Sequence, residues 1–186
     1  MVDTVNVLGV CGSLRAASLN AMLLRVARRL APPQTRLNLY PGIGDLPLFN
    51  PDLEVCLPAP VLRWQSAVAM SDALLIASPE YAHGVTGTIK NALDWLVSFE
   101  PFVGKVVAVL NASPRAEHAD MALRETLRTM AALIAERASV SLPVLGSGFS
   151  EQEMCDDPTI GSLVKSALAE LHTAVISSSV TRSDSN

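Results

Sequence analysis

Five short runs rich in β-branched residues, separated by longer segments of mostly helical period, set the limits on what this chain can fold into. The runs are VNVLGV (Val5 to Val10), TRLNLY (Thr35 to Tyr40), ALLIAS (Ala73 to Ser78), KVVAVLN (Lys105 to Asn111) and ASVSLP (Ala138 to Pro143). Strands alternating with helices form βαβ units around a parallel sheet, so the pattern predicts an α/β fold with five strands. The third and fourth runs are almost wholly apolar, as central strands covered on both faces must be. Leu19, Leu23, Val26, Ala27 and Leu30 mark one face of a first helix, and Val61, Leu62, Gln65 and Ala69 fall within a second. Leu123, Leu127, Met130, Ala131 and Ile134 mark a later helix, and Leu163, Ala167, Leu171 and Val175 a final one. The Pro- and Gly-rich segment YPGIGDLPLFNPDLE (Tyr40 to Glu54) predicts a long connection without a regular helix. The polar segment SSSVTRSDSN (Ser177 to Asn186) predicts a frayed tail, leaving residues 1–176 as a single domain.

Composition narrows the function classes. A chain of 186 residues that is 49% hydrophobic has the size and apolar content of one domain with a substantial core. Its 14 basic and 18 acidic residues leave a net charge of −4 with no dense basic run, which argues against a nucleic-acid partner. Three cysteines, Cys11, Cys56 and Cys155, lack CxxC spacing and argue against both a disulfide framework and a zinc site, so a reducing cytoplasm fits. The N-terminus has no basic region before its apolar run, and no apolar stretch reaches membrane-spanning length. Cytoplasmic localisation and no membrane insertion are the expectations.

Right-handed crossovers bring the turns after strands one, three and four to the carboxyl edge of the sheet, where open α/β folds bind their ligands. Those turns read GSLRAASLN, SPEYAHGVTG and NASPRAEH. The first combines the hydroxyls of Ser13 and Ser18, the carboxamide of Asn20, the guanidinium of Arg15 and a helix N-terminus, a set that suits a phosphate. The alternative is that Ser18 simply caps the helix. In the second, Pro79 stiffens the backbone, Gly84 and Gly87 permit close approach, and Tyr81 offers a flat face with a polar tip. A planar heterocycle would fit there. The GxGxxG, GxxxxGK[ST] and GxSxG patterns are missing, and His83, His118 and His172 lack metal-ligand spacing.

Together, GSLRAASLN and PEYAHGVTGTIKNALDWL resemble the NADPH-dependent FMN reductase family, flavodoxin-like flavoproteins that include FMN, quinone, azo-dye and chromate reductases. The resemblance implies a three-layer α/β/α sandwich whose five-stranded parallel sheet is doubly wound in the order 2-1-3-4-5. It also implies a bound FMN, NADPH or NADH as hydride donor, and a homodimer or homotetramer. The implied reaction is ping-pong: a hydride passes from NAD(P)H to FMN, and a small-molecule acceptor such as a quinone, flavin, azo compound or metal oxyanion is then reduced. Carried over by position, Ser13, Arg15, Ser18 and Asn20 would hold the FMN phosphate. Pro79, Glu80 and Tyr81 would lie along the ribityl chain and ring edge, backbone amides near Ala82, His83 and Gly84 would face the ring, and Ser113 would come from the fourth-strand loop. No side chain is assigned as catalytic, because the flavin carries the chemistry.

This chain departs from the family pattern at Ala82, where many members have Asn, and in SPRAEHA, where many have SPGxxGG. Arg115, Glu117 and His118 therefore replace small flexible residues. Arg115 reads either as a site for the phosphate of NADPH or an anionic acceptor, or as a surface partner of Glu117. Glu80 reads as bonded to backbone or placed at a subunit contact, with acid–base catalysis as the alternative. His83 could donate to a ligand or simply be solvated. Asn91 and Asp94 read as loop pins, Trp95 as core and Cys11 as packing. A flavodoxin-type electron carrier and a flavin-free regulatory protein on the same scaffold are the rival functions.

Overall fold

The computed structural model describes residues 4–183. The chain runs β1 (Val5–Cys11), α1 (Leu19–Leu30), β2 (Thr35–Leu39), α2 (Ala59–Ala69), β3 (Ala73–Ala77), β4 (Glu80–Tyr81), β5 (Gly84–Val85) and α3 (Gly87–Asp94). It continues through β6 (Val106–Asn111), α4 (Glu117–Thr129), β7 (Leu133–Ile134), β8 (Val140–Ser141), α5 (Glu151–Asp156) and α6 (Pro158–Ser183). The main sheet is parallel and ordered β2-β1-β3-β6-β7, with β8 also paired to β6. This is the doubly wound three-layer α/β architecture and strand order that the resemblance implies. The short pair β4 and β5 forms a separate antiparallel hairpin.

Alternate residues of each central strand feed opposite faces, because side chains in a strand point to the two sides in turn. Ala73, Leu75 and Ala77 of β3 join a core formed with α1, α5 and α6, where Leu23, Met154 and Leu168 are buried. Leu74 and Ile76 join the opposite core, formed with α2, α3 and α4, where Trp64, Ile89 and Leu123 are buried. Every residue of β3 and β6 is buried, as expected for strands covered on both faces.

Register places the site. Cys11 pairs with Ala77, and Ala77 pairs with Leu110, so β1, β3 and β6 end level with one another and release their loops side by side.

Three features differ from the sequence expectations. The fifth strand is two fragments, Leu133–Ile134 and Val140–Ser141, separated by a 3₁₀ turn at Glu136–Ala138. The later helix stops at Thr129 because Ala131 takes a left-handed φ of 58° and turns the chain back to the sheet; Ile134 therefore lies in β7. Val61, Leu62, Gln65 and Ala69 do fall within the second helix, α2, where Val61 and Gln65 are buried with Trp64 and Val68, and Leu62 and Ala69 are exposed. The final helix runs on through Ser183, where a frayed tail was expected from Ser177; residues 184–186 of that segment lie outside the described residues. The long connection has no regular helix but contains two 3₁₀ turns, Ile43–Asp45 and Pro51–Val55.

Candidate functional site

The first loop depends on one glycine. A Cβ built on Gly12 would lie 2.2 Å from Ser78 Oγ and 2.6 Å from Ser78 Cβ, so only glycine lets the exit of β1 lie against the exit of β3. Gly12 N donates to Ala77 O at 2.8 Å. Beyond it, Ser18 takes an extended conformation and caps α1, its Oγ accepting from Ala21 N at 3.3 Å. Ser13 Oγ accepts from Arg15 N at 3.4 Å. Both hydroxyls thus receive a backbone proton and keep their own proton to give to a ligand. Asn20 is 5% exposed, and its Oδ1 is buried without a hydrogen-bond partner. Cys11 lies beside this turn, its Sγ 3.9 Å from Ser18 Oγ.

The second loop is fastened to the first by Thr86, which sequence reading passed over. Its buried hydroxyl donates to Gly12 O at 2.7 Å and accepts from Ile89 N at 3.3 Å, so one side chain both caps α3 and ties it to the end of β1. The only sequence signal was a Thr one residue before the helix at Gly87, the ordinary mark of an N-cap. Ala82 and His83 form the hairpin turn with left-handed φ values of 49° and 58°, a conformation costly for residues other than glycine or asparagine. Further on, Asn91 Oδ1 accepts from Phe49 N at 2.8 Å, and its Nδ2 donates to Pro47 O at 3.0 Å. Asn91 therefore pins the long connection, whereas Asp94 pairs with Lys90 at 2.6 Å. Trp95 is core, with its indole N–H donating to Pro47 O at 2.8 Å.

The fourth loop is closed by its own side chains. Asn111 Oδ1 accepts from Ser113 N and its Nδ2 donates to Ala116 O, both at 3.1 Å. Ser113 Oγ accepts from Arg115 N at 3.2 Å. Ala116, at the N-cap of α4, has no side chain to offer the helix. Glu80 supplies the missing acceptor from the second loop: its Oε2 accepts from Ala119 N at 2.8 Å, while Oε1 meets His83 Nδ1 at 3.0 Å. The Ala119 N–H holds the Glu80 carboxyl below its ordinary range, and the hydrogen bond and charge of His83 and the charge of His118 act in the same direction against partial desolvation. The rings of His83 and His118 meet edge to face at 4.6 Å, a contact between the hairpin tip and the first turn of α4 that no spacing in the sequence announces.

The three loops enclose an open cleft of about 340 Å³. Ser13, Arg15, Ser18 and Asn20 line one part of it, Pro79, Glu80 and Tyr81 another, and Ser113 and Arg115 a third. Ala82, His83 and Gly84 do not line it; they form the hairpin tip beyond Tyr81. Leu145, which no sequence motif singles out, reaches the cleft from the segment after β8 and lines the wall together with Leu19 and Ala112. An apolar wall with hydroxyls, a carboxamide and two guanidinium groups suits an organic ligand that carries phosphate.

The family described as NADPH-dependent FMN reductase matches residues 5–145. The NAD(P)H-dependent FMN reductase of Pseudomonas aeruginosa is 33% identical over 177 residues, covering 92% of this chain and 95% of that protein. The quinone reductase of Escherichia coli K12 is 35% identical over 117 residues, 61% of this chain and 62% of that protein. Among solved structures, the flavoenzyme NAD(P)H:(acceptor) oxidoreductase FerB from Paracoccus denitrificans superimposes with a TM-score of 0.81 at 28% identity, covering 94% of this chain and 98% of that one.

Proposed function

The chain belongs to the NADPH-dependent FMN reductase family, and on that premise we propose that the cleft binds FMN and that the protein reduces quinones or related small acceptors with NAD(P)H. Asn20 carries the reading. A carboxamide buried in the first turn of α1 lines the cleft with its oxygen unpartnered, and a ligand hydroxyl or N–H that donates to that oxygen completes it. Around it the first loop offers what a phosphate needs: Ser13 and Ser18 each have a proton to donate, Arg15 supplies charge, and the N–H groups opening α1 supply the positive end of a helix dipole.

The redox chemistry belongs to the flavin: two electrons and a proton taken from NAD(P)H in one half-reaction and passed to an acceptor in the other, in ping-pong order. The protein binds and orients. Pro79 and Glu80 would lie along the ribityl chain, and Tyr81, whose ring is largely exposed, would stand at the edge of the isoalloxazine. Backbone N–H groups of the tip formed by Ala82, His83 and Gly84 would reach the polar edge of the ring, and Ser113 would close the far wall. Glu80 acts here as a brace, because its carboxylate is spent on Ala119 and His83, and this supports a site in which the flavin and no side chain carries the chemistry. The same reading includes a homodimer or homotetramer.

The test is an anaerobic visible spectrum of the FMN-reconstituted protein before and after addition of NADPH and of NADH. Bleaching of the flavin band by either nucleotide is the expected result. A band that persists with both would make the protein an electron carrier, and failure to take up FMN would make it a flavin-free protein on this scaffold.

A further inference from the structure

Two guanidinium groups stand in the walls of the cleft, Arg15 from the first loop and Arg115 from the fourth. Arg25, Arg29, Arg124, Arg128 and Arg137 each meet a carboxylate. Among the described residues Arg15 and Arg115 meet none, and Arg28, Arg36 and Arg63, which share that condition, lie outside the cleft. Glu117, two positions beyond Arg115, makes no ion pair with it. Glu80, the carboxylate that also lines the cleft, is engaged by Ala119 N–H and His83. A guanidinium held in a ligand-sized cleft without a counter-ion is a receptor for anionic oxygen, and its planar fork suits phosphate.

Topology separates the two cations. β3 lies between β1 and β6, so the first and fourth loops leave the sheet two strand spacings apart, roughly 10 Å. A phosphate seated on the first loop leaves the second cation unneutralised. The backbone at Arg115 is meanwhile fixed by Asn111 and Ser113, so a ligand that meets this side chain orders little else.

We propose that Arg115 is the specificity-determining residue for the second ligand of the cleft, receiving the 2′-phosphate that distinguishes NADPH from NADH. The inference rests on the flavin reading above, which assigns the first loop to the FMN phosphate. Arg15 and Arg115 then divide the work, one anchoring the resident cofactor and the other selecting the nucleotide that visits.

The experiment is calorimetric titration of NADP⁺ and NAD⁺ into the FMN-reconstituted protein, as wild type, Arg115→Gln and Arg115→Lys. Arg115→Gln is expected to weaken NADP⁺ roughly 10- to 100-fold while barely moving NAD⁺. Arg115→Lys restores part of the loss, because the charge survives without the fork, and added salt weakens NADP⁺ more in wild type than in Arg115→Gln. Equal losses for the two nucleotides, or no change in either, overturn the proposal and leave the flavin reading standing. Release of FMN from Arg115→Gln assigns the residue to the flavin and overturns it as well. A wild-type protein that takes up no FMN overturns both readings together.

Discussion

Ser18 illustrates how one residue serves both fold and site. Its oxygen caps α1 by accepting from Ala21, and the cap leaves its hydroxyl proton unused in the cleft that Ser18 lines. The two roles suggested by the sequence are therefore compatible. Ser18→Ala should cost about 1 kcal/mol of folding stability through the lost cap. Under the proposed function it should also weaken FMN by about 1 to 3 kcal/mol through the lost donor. Chemical denaturation of the apoprotein and FMN titration separate the two losses; a stability loss with unchanged FMN affinity would leave Ser18 as a cap alone. Residue types that carry their chemistry in a local pattern, such as Ser13, Ser18 and Asn20, were legible in the sequence. Thr86 and His118 were not, because what matters about them is a contact across 74 residues in one case and a ring contact between the hairpin tip and α4 in the other.

At the scale of elements, α4 is a helix whose N-terminus is capped by another loop. Glu80 does what Ala116 cannot, and its carboxyl is held below the ordinary carboxylate range chiefly by the Ala119 N–H. A group with a depressed folded pKa adds stability that is present above its unfolded pKa and disappears as pH falls through the folded one. The stability difference between wild type and Glu80→Gln should therefore be constant near neutrality and shrink as pH drops below about 4. Urea midpoints across that range check the sign, and a difference that grew with acid would remove Glu80 from this role. The helices were legible from their 3.6-residue period, and the central strands from short, mostly apolar runs that cover on both faces requires. Of the broken fifth strand, Val140–Ser141 was legible inside the run Ala138 to Pro143, and Leu133–Ile134 was not. Leu133 and Ile134 carry helical spacing from Leu127 and Met130, and only the left-handed turn at Ala131, a residue with no preference for that conformation, shows where the helix ends.

At the scale of the whole molecule, two apolar cores flank the sheet, and the loops that leave its carboxyl edge hold the cleft. Leu48, Val55 and Val97 nevertheless remain largely exposed, around the long connection and just beyond α3. Exposed apolar side chains of this size are surface a second subunit would cover, in line with the proposed homodimer or homotetramer. Sedimentation velocity should give the mass of two or four chains, and a single-chain mass at working concentration would end that part of the reading. The sheet's far border has a different consequence. Its last two strands offer only Leu133–Ile134 and Val140–Ser141, rungs interrupted by a turn, where a full-length border strand would present a ready template to any passing chain. A foreign strand finds too few consecutive partners there to zip on, so the break between Ile134 and Val140 guards this border of the sheet against edge-to-edge growth.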